Sequence, residues 1–202
     1  MLSVKDEAAA DHCAALVRER NRPRFVAALF APVKIRRKLL ALYALDAELE
    51  RIPEVAHEAM IQAMRFQWWR DAIAGLPGTT RGHPILVELA ATGQAAALQD
   101  VVDAGEDRVG GSRAEQCVVA TAARLCGAAP GENELADRVG AAIAARDIPA
   151  LAAARALWRV NRRARRAELP AYLPATVVDM KHPVTALRLY GRMLVKGLGN
   201  RF

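Results

Sequence analysis

The chain has 202 residues, 53% hydrophobic but only 5% aromatic, and carries 29 Lys and Arg against 22 Asp and Glu, a formal net charge of +7. That length suits a single domain, 1–202, able to bury a sizeable core, and a text rich in Ala and Leu favours helices over strands. A transmembrane helix is excluded, because no run of about eighteen uncharged apolar residues occurs. The opening text, MLSVKDEAAADHC, has acids where a signal peptide needs its apolar region, so the expected location is cytoplasmic. Cys13, Cys117 and Cys126 are odd in number and form no CxxC pattern, which fits a reducing compartment and packing better than disulfides or a metal site. The basic balance leaves three kinds of partner open: nucleic acid, an anionic membrane surface, or a phosphate-bearing small molecule.

In chain order, Asp11 to Glu19 reads as a first helix, with Cys13, Leu16 and Val17 on one side. Arg24 to Phe30 follows with Phe25, Val26, Leu29 and Phe30 as its apolar face, closed by Pro32. A long helix starts near Lys34. Its first turns hold Lys34, Arg36, Arg37 and Lys38, where the helix dipole disfavours cations; they are either kept for a partner or simply solvated. Leu39, Leu42, Tyr43, Leu45 and Leu49 supply its buried stripe, while Asp46, Glu50 and Glu54 step by four along another face. Pro53 predicts a kink or break near Arg51.

A further helical stretch from Glu54 carries Met60, Ile61, Met64, Trp68 and Ile73, with Met60 and Met64 read as core filler and Trp68 and Trp69 as packing. His83 stands in a loop before Pro84, which opens another helix. Asp100, Asp103, Glu106 and Asp107 make an acidic run. Ser112 with Glu115 three residues later is a capping box for a helix reaching about Leu125. Leu135 to Ala145 and Pro149 to Ala167 are two more helices, the second bearing a stripe of Arg155, Arg159, Arg162 and Arg166. That stripe has no aromatic interleaving, so nucleic acid is a minority reading. After the LPAYLP corner, Val184 to Lys196 forms an amphipathic helix with Leu187, Tyr190, Met193 and Leu194 against Arg188, Arg192 and Lys196. Such a helix either docks on its own domain or lies on an anionic membrane.

The stretches RPRFVAALFAP (Arg22 to Pro32), LLALYALDAELERIPEV (Leu39 to Val55), MRFQWWRDAI (Met64 to Ile73) and GHPI (Gly82 to Ile85), taken together, resemble the squalene and phytoene synthase family. The resemblance is specific from about Arg20 to Leu89 and thin after Gly127. It implies an all-α, isoprenoid-synthase-like helical bundle around a cavity, here truncated or compacted in its second half. Active members condense two prenyl diphosphates head to head, with Mg²⁺ held between two aspartate-rich helices to neutralise the departing diphosphate.

Carried onto this chain, the resemblance implies metal ligands at Glu50, Glu54 and Asp147 and substrate contacts from Arg24, Lys34, Arg37 and Tyr43. Two departures weaken that carry-over: Arg51 and Pro53 interrupt the first motif, and AAIAARDI, Ala141 to Ile148, offers a single carboxylate for the second. ALDAELERIPEVAHEAM followed by MRFQWWRD resembles instead the divergent branch containing the mitochondrial complex I assembly factor related to phytoene synthase. The expectation is therefore a non-catalytic member with an assembly or interaction role, needing no cofactor and having a protein partner, a prenyl diphosphate ligand or a peripheral contact with the inner membrane. An active prenyl transferase using Mg²⁺ is the alternative, and nucleic acid stands as the lesser third reading.

Overall fold

In a computed structural model of the chain, the described residues are 4–80, 82–107, 113–129, 134–161, 164–178 and 186–199. They form helices α1 (Val4–Arg20), α2 (Arg22–Ala28), α3 (Val33–Val55), α4 (Ala59–Ala74), α5 (Pro84–Ala90), α6 (Ala95–Glu106), α7 (Arg113–Leu125), α8 (Glu134–Ala145), α9 (Ile148–Asn161), α10 (Leu169–Tyr172) and α11 (Ala186–Leu198). Tight 3₁₀ segments at Ala164–Glu168 and Leu173–Val177 flank α10. No strand occurs among the described residues, so the fold class is all-α, as expected.

Helix α3 is the axis of the bundle. Residues 39–47 are buried on every side, including the small Ala41, Ala44 and Ala47 that let neighbours approach. Around it pack α1, α2, α4, α5, α6 and α7, while α8 rests on α7 and α9 on α8. The leucines expected on its stripe, Leu39, Leu42, Leu45 and Leu49, are all in the core, with Tyr43 among them.

Several expectations are corrected. The helix does not break at Arg51: α3 runs through Pro53 to Val55, and the chain turns out of it at Ala56. Pro53 costs the helix the N–H that would meet the Leu49 carbonyl, but only Glu54 and Val55 follow it before the helix ends. The first helix begins earlier than expected, at Val4, and the acidic run belongs to a helix of its own, α6. Asp103 and Glu106 of that run both take Arg70 of α4, at 2.6 Å from Nε to Asp103, and Gln99 donates to the Arg70 carbonyl at 2.8 Å. The helix expected over Pro149 to Ala167 ends at Asn161 and gives way to the 3₁₀ turn. The capping Ser112 and the side chain of Arg162 lie outside the described residues.

The basic start of α3 has an internal use. Arg36 donates to the carbonyls of Leu29 and Ala31 at 3.1 and 3.2 Å, so it neutralises the end of α2, where a cation is favoured. In α4 the buried residues are Phe66, Trp69, Ala72 and Ile73, while Met60, Ile61, Met64 and Trp68 face outward. Both stripes have helical spacing, and the one with the branched and bulkier rings went inward. In α11, Leu189 and Met193 are buried but Tyr190 and Leu194 are exposed.

Helix α7 approaches α8 through Gly140, where an added Cβ would stand 2.5 Å from the Gln116 Cα and 2.7 Å from its nitrogen. Both are backbone atoms and cannot swing away. Gly140→Ala is therefore expected to cost about 2 kcal/mol through forced separation of the two helices. Thermal denaturation followed by circular dichroism checks this as a fall of several degrees in the midpoint.

Candidate functional site

Where α2, α3 and α7 meet, a guanidinium is buried between two carboxylates. Asn21 caps α2 by accepting from the Arg24 backbone N–H at 3.2 Å, and Pro23 sits in the first turn, so the chain turns sharply and aims Arg24 inward. The Arg24 Nη1 donates to Asp46, and its Nη2 donates to both Glu115 oxygens at 2.8 Å. Asp46 is fully buried on α3, and Glu115 lies in the first turn of α7, where a negative charge suits the dipole. The guanidinium also lies over the Tyr43 ring, 5.2 Å from its centroid.

Burial alone would lower the Arg24 pKa, but Glu115 and Asp46 outweigh it and hold the group charged above the usual arginine range. Tyr43 is pushed up by burial, against the opposing pull of Arg24. Its hydroxyl has no hydrogen-bond partner among the described residues. Beside this network lies a cleft of about 260 Å³, walled by Pro23, Arg24, Glu115, Ile143, Arg146 and Pro174 among others. Arg146 closes α8 with φ of 51°. Its N–H bonds to the Ile143 carbonyl at 3.2 Å, and that of Asp147 to Ala142 at 3.0 Å, a Schellman ending whose left-handed position is usually glycine.

The expected substrate residues separate. Arg24 and Tyr43 are together in this network. Arg37 is elsewhere, forked onto Glu88 of α5 at 3.0 Å from Nε and 2.6 Å from Nη2, and Lys34 is exposed at the start of α3. The Arg37 pair adjoins Cys13, whose thiol is pushed up to about 12, by burial first and by Glu88 second, with Arg37 opposing.

Of the expected metal residues, Glu50 is half-buried and stands one turn before Glu54 on α3, and both act on Arg20. Glu54 is exposed and paired with Arg20 at 2.5 Å, and Asp147 is exposed and accepts from the Ala150 N–H at 2.9 Å to open α9. Arg51 within the motif lies 3.5 Å from Glu48. Among the described residues no three His, Cys, Asp or Glu side chains are grouped to hold a metal ion. As a donor set for Mg²⁺, which needs several converging oxygens, these three acids fit poorly.

Sequence reasoning missed Asp46, Glu115 and Glu88 as structural anions. A signal for the first existed: Asp46 falls on the three-four repeat of Leu39, Leu42 and Leu49, so its burial follows from the same spacing. It also missed a second cleft, of about 380 Å³, between the end of α3 and α4, lined by Glu48, Arg51, Arg65, Trp68, Trp69 and His83 with Ile52 and Val55. The His83 ring meets Trp69 edge-on at 5.1 Å and Trp68 at 5.7 Å. Its Nδ1 is buried without a partner among the described residues, and burial lowers its pKa, with Glu48 opposing and His12 reinforcing.

Residues 17–107 match the family model described as squalene/phytoene synthase. No curated protein and no solved structure matches the chain. The matched segment runs from the end of α1 through α6 and includes Arg24, Tyr43, Asp46, Glu50 and Glu54, but neither Glu115 nor Asp147.

Two outcomes follow. Arg24→Met takes the shared guanidinium away from Asp46 and Glu115 and is expected to cost about 3–5 kcal/mol in urea unfolding, most of it regained when Asp46→Leu and Glu115→Leu are added. For His83, a depressed folded pKa means the unfolded chain takes up the proton first, so its contribution is intact above the ordinary value near 6.5 and is lost as pH falls below it. Thermal midpoints between pH 7.5 and 5.5 should therefore fall less for His83→Gln than for the parent protein.

Proposed function

From the match of residues 17–107 to the squalene/phytoene synthase family model, we propose that the protein acts through binding to a protein partner, as an assembly or interaction factor, and not through prenyl transfer. The observation that carries this is the Arg24 network. A diphosphate site collects Mg²⁺ with unneutralised carboxylates, whereas here the two interior carboxylates of that region share one guanidinium, and three of its five N–H donors are spent on them. Of the acids aligned with the first metal motif, Glu54 is drawn outward to Arg20, and Arg51 stands between it and Glu50 in the chain. The kind of role is that of the divergent branch the sequence resembles, assembly of respiratory complex I.

No helix among the described residues is long and apolar enough to cross a membrane. A peripheral contact falls to α11, where exposed Leu194, Val195 and Leu198 share the helix with Arg188, Arg192 and Lys196. One observation favours the second reading, an active prenyl transferase. The cleft beside Arg24 is also lined by Arg146, and two guanidinium groups on one cleft are able to seat a diphosphate.

Purified protein incubated with farnesyl or geranylgeranyl diphosphate and Mg²⁺ is expected to give no condensed product. In cells lacking the protein, the Glu50→Ala, Glu54→Ala double variant is expected to restore complex I activity as fully as the parent. Product formation that disappears in the double variant would establish the transferase instead.

A further inference from the structure

Helix α4 leaves an apolar stripe uncovered. Met60, Met64 and Trp68, at spacings of four, are 72%, 66% and 37% exposed, with Val55 from the end of α3 and Ile61 alongside. A run of bulky apolar side chains of this kind on a protein surface marks an interaction site more often than an accident of packing. Through Trp68 and Val55 the stripe continues into the 380 Å³ cleft with its floor of Ile52, Trp69 and His83. The surface is therefore a ridge beside a groove, not an isolated patch.

The charges at this groove are unequal. Arg51 and Arg65 line it and are exposed, against the one acid Glu48, which already lies 3.5 Å from Arg51. Arg65 makes no ion pair among the described residues, whereas Arg70 on the same helix is taken up by Asp103 and Glu106. One cation of the pair is thus unmatched.

We infer that this face docks an amphipathic helix of a protein partner, which lays its apolar side along Met60, Met64 and Trp68 and sets a carboxylate against Arg65 and Arg51. Anchors at intervals of four are the spacing by which helices seat in grooves, and methionine adapts its shape to such a partner. Two other occupants fit less well. A membrane would meet a recessed groove holding Glu48, with Glu58 and Asp71 exposed on the flanks of α4. A second copy joined by a two-fold axis through the groove would bring Arg65 and Arg51 against their own copies.

The inference rests on the reading of the protein as an interaction factor, yet it is tested separately. Two synthetic helical peptides with one identical leucine face, flanked either by Glu or by Lys, are titrated into the full chain while tryptophan fluorescence and the methionine methyl signals in NMR are followed. The Glu peptide is expected to bind about tenfold more tightly than the Lys peptide and to shift Met60 and Met64. Met64→Glu, an exposed change whose folding is checked by its melt, should weaken binding by about tenfold or more, and Arg65→Glu should reverse the preference between peptides.

Absence of binding, equal binding of the two peptides, or binding indifferent to Met64→Glu would overturn the inference. So would phosphatidylglycerol vesicles bound through Met64 in place of peptide, or a dimer in sedimentation that Met64→Glu dissociates. Turnover of prenyl diphosphates, by contrast, would remove the interaction reading while leaving the peptide result to stand or fall alone.

Discussion

The rest of the bundle is arranged around one buried charge. A guanidinium without water needs anions close by, and Arg24 draws them from residues 22 and 91 positions further along the chain. Its demand fixes how α2 enters under the Asn21 cap, how α3 is rotated so that Asp46 points inward, and where α7 must begin to present Glu115. Hydrophobic burial alone would tolerate several rotations of a helix as apolar as α3 across residues 39–47. An ion pair in a dry interior tolerates few, because each wrong rotation leaves a charge uncompensated. The network thus contributes to the uniqueness of the packing.

The same logic orders the other charges. Arg36 closes the end of α2, Arg37 joins α3 to Glu88 on α5, and Arg70 ties α4 to α6. Each cation reaches from one helix to another across a seam that is apolar on either side. In a protein with few aromatic side chains to lock helix against helix, forked guanidinium groups take over part of that orienting work. Four cations that look available in the sequence, Arg24, Arg36, Arg37 and Arg70, are therefore committed between helices, whereas Arg65 is exposed at its groove.

The all-α class and the central helix were legible from periodicity, because leucines at intervals of three and four survive any tertiary arrangement. The family resemblance in the first half was likewise visible in RPRF, LYAL and QWWRD, and the family model matches there. What the text hid was which of two apolar stripes on α4 turned inward. Met60 and Met64 are apolar and at helical spacing, as Phe66 and Ile73 are, and the choice depends on neighbours distant in the chain. The partners of Arg24 were hidden for a similar reason, since pairing between α2 and α7 leaves no local trace. The continuation of α3 through Pro53 was misjudged because proline removes one hydrogen bond without forbidding the few residues that follow it, and here the helix ends two residues later.

Glu115 lies beyond the segment that matches the family, whereas Arg24 and Asp46 lie within it. The family-like half is consequently not a self-sufficient module. Cut away from α7, it would hold a cation between one carboxylate and an opening where the other had been, and a portion of its core would be open to water. The boundary of the family match and the boundary of the packing differ in this chain: α7 packs on α3 and α6 and pairs with α2 through Glu115, although it lies outside the matched segment.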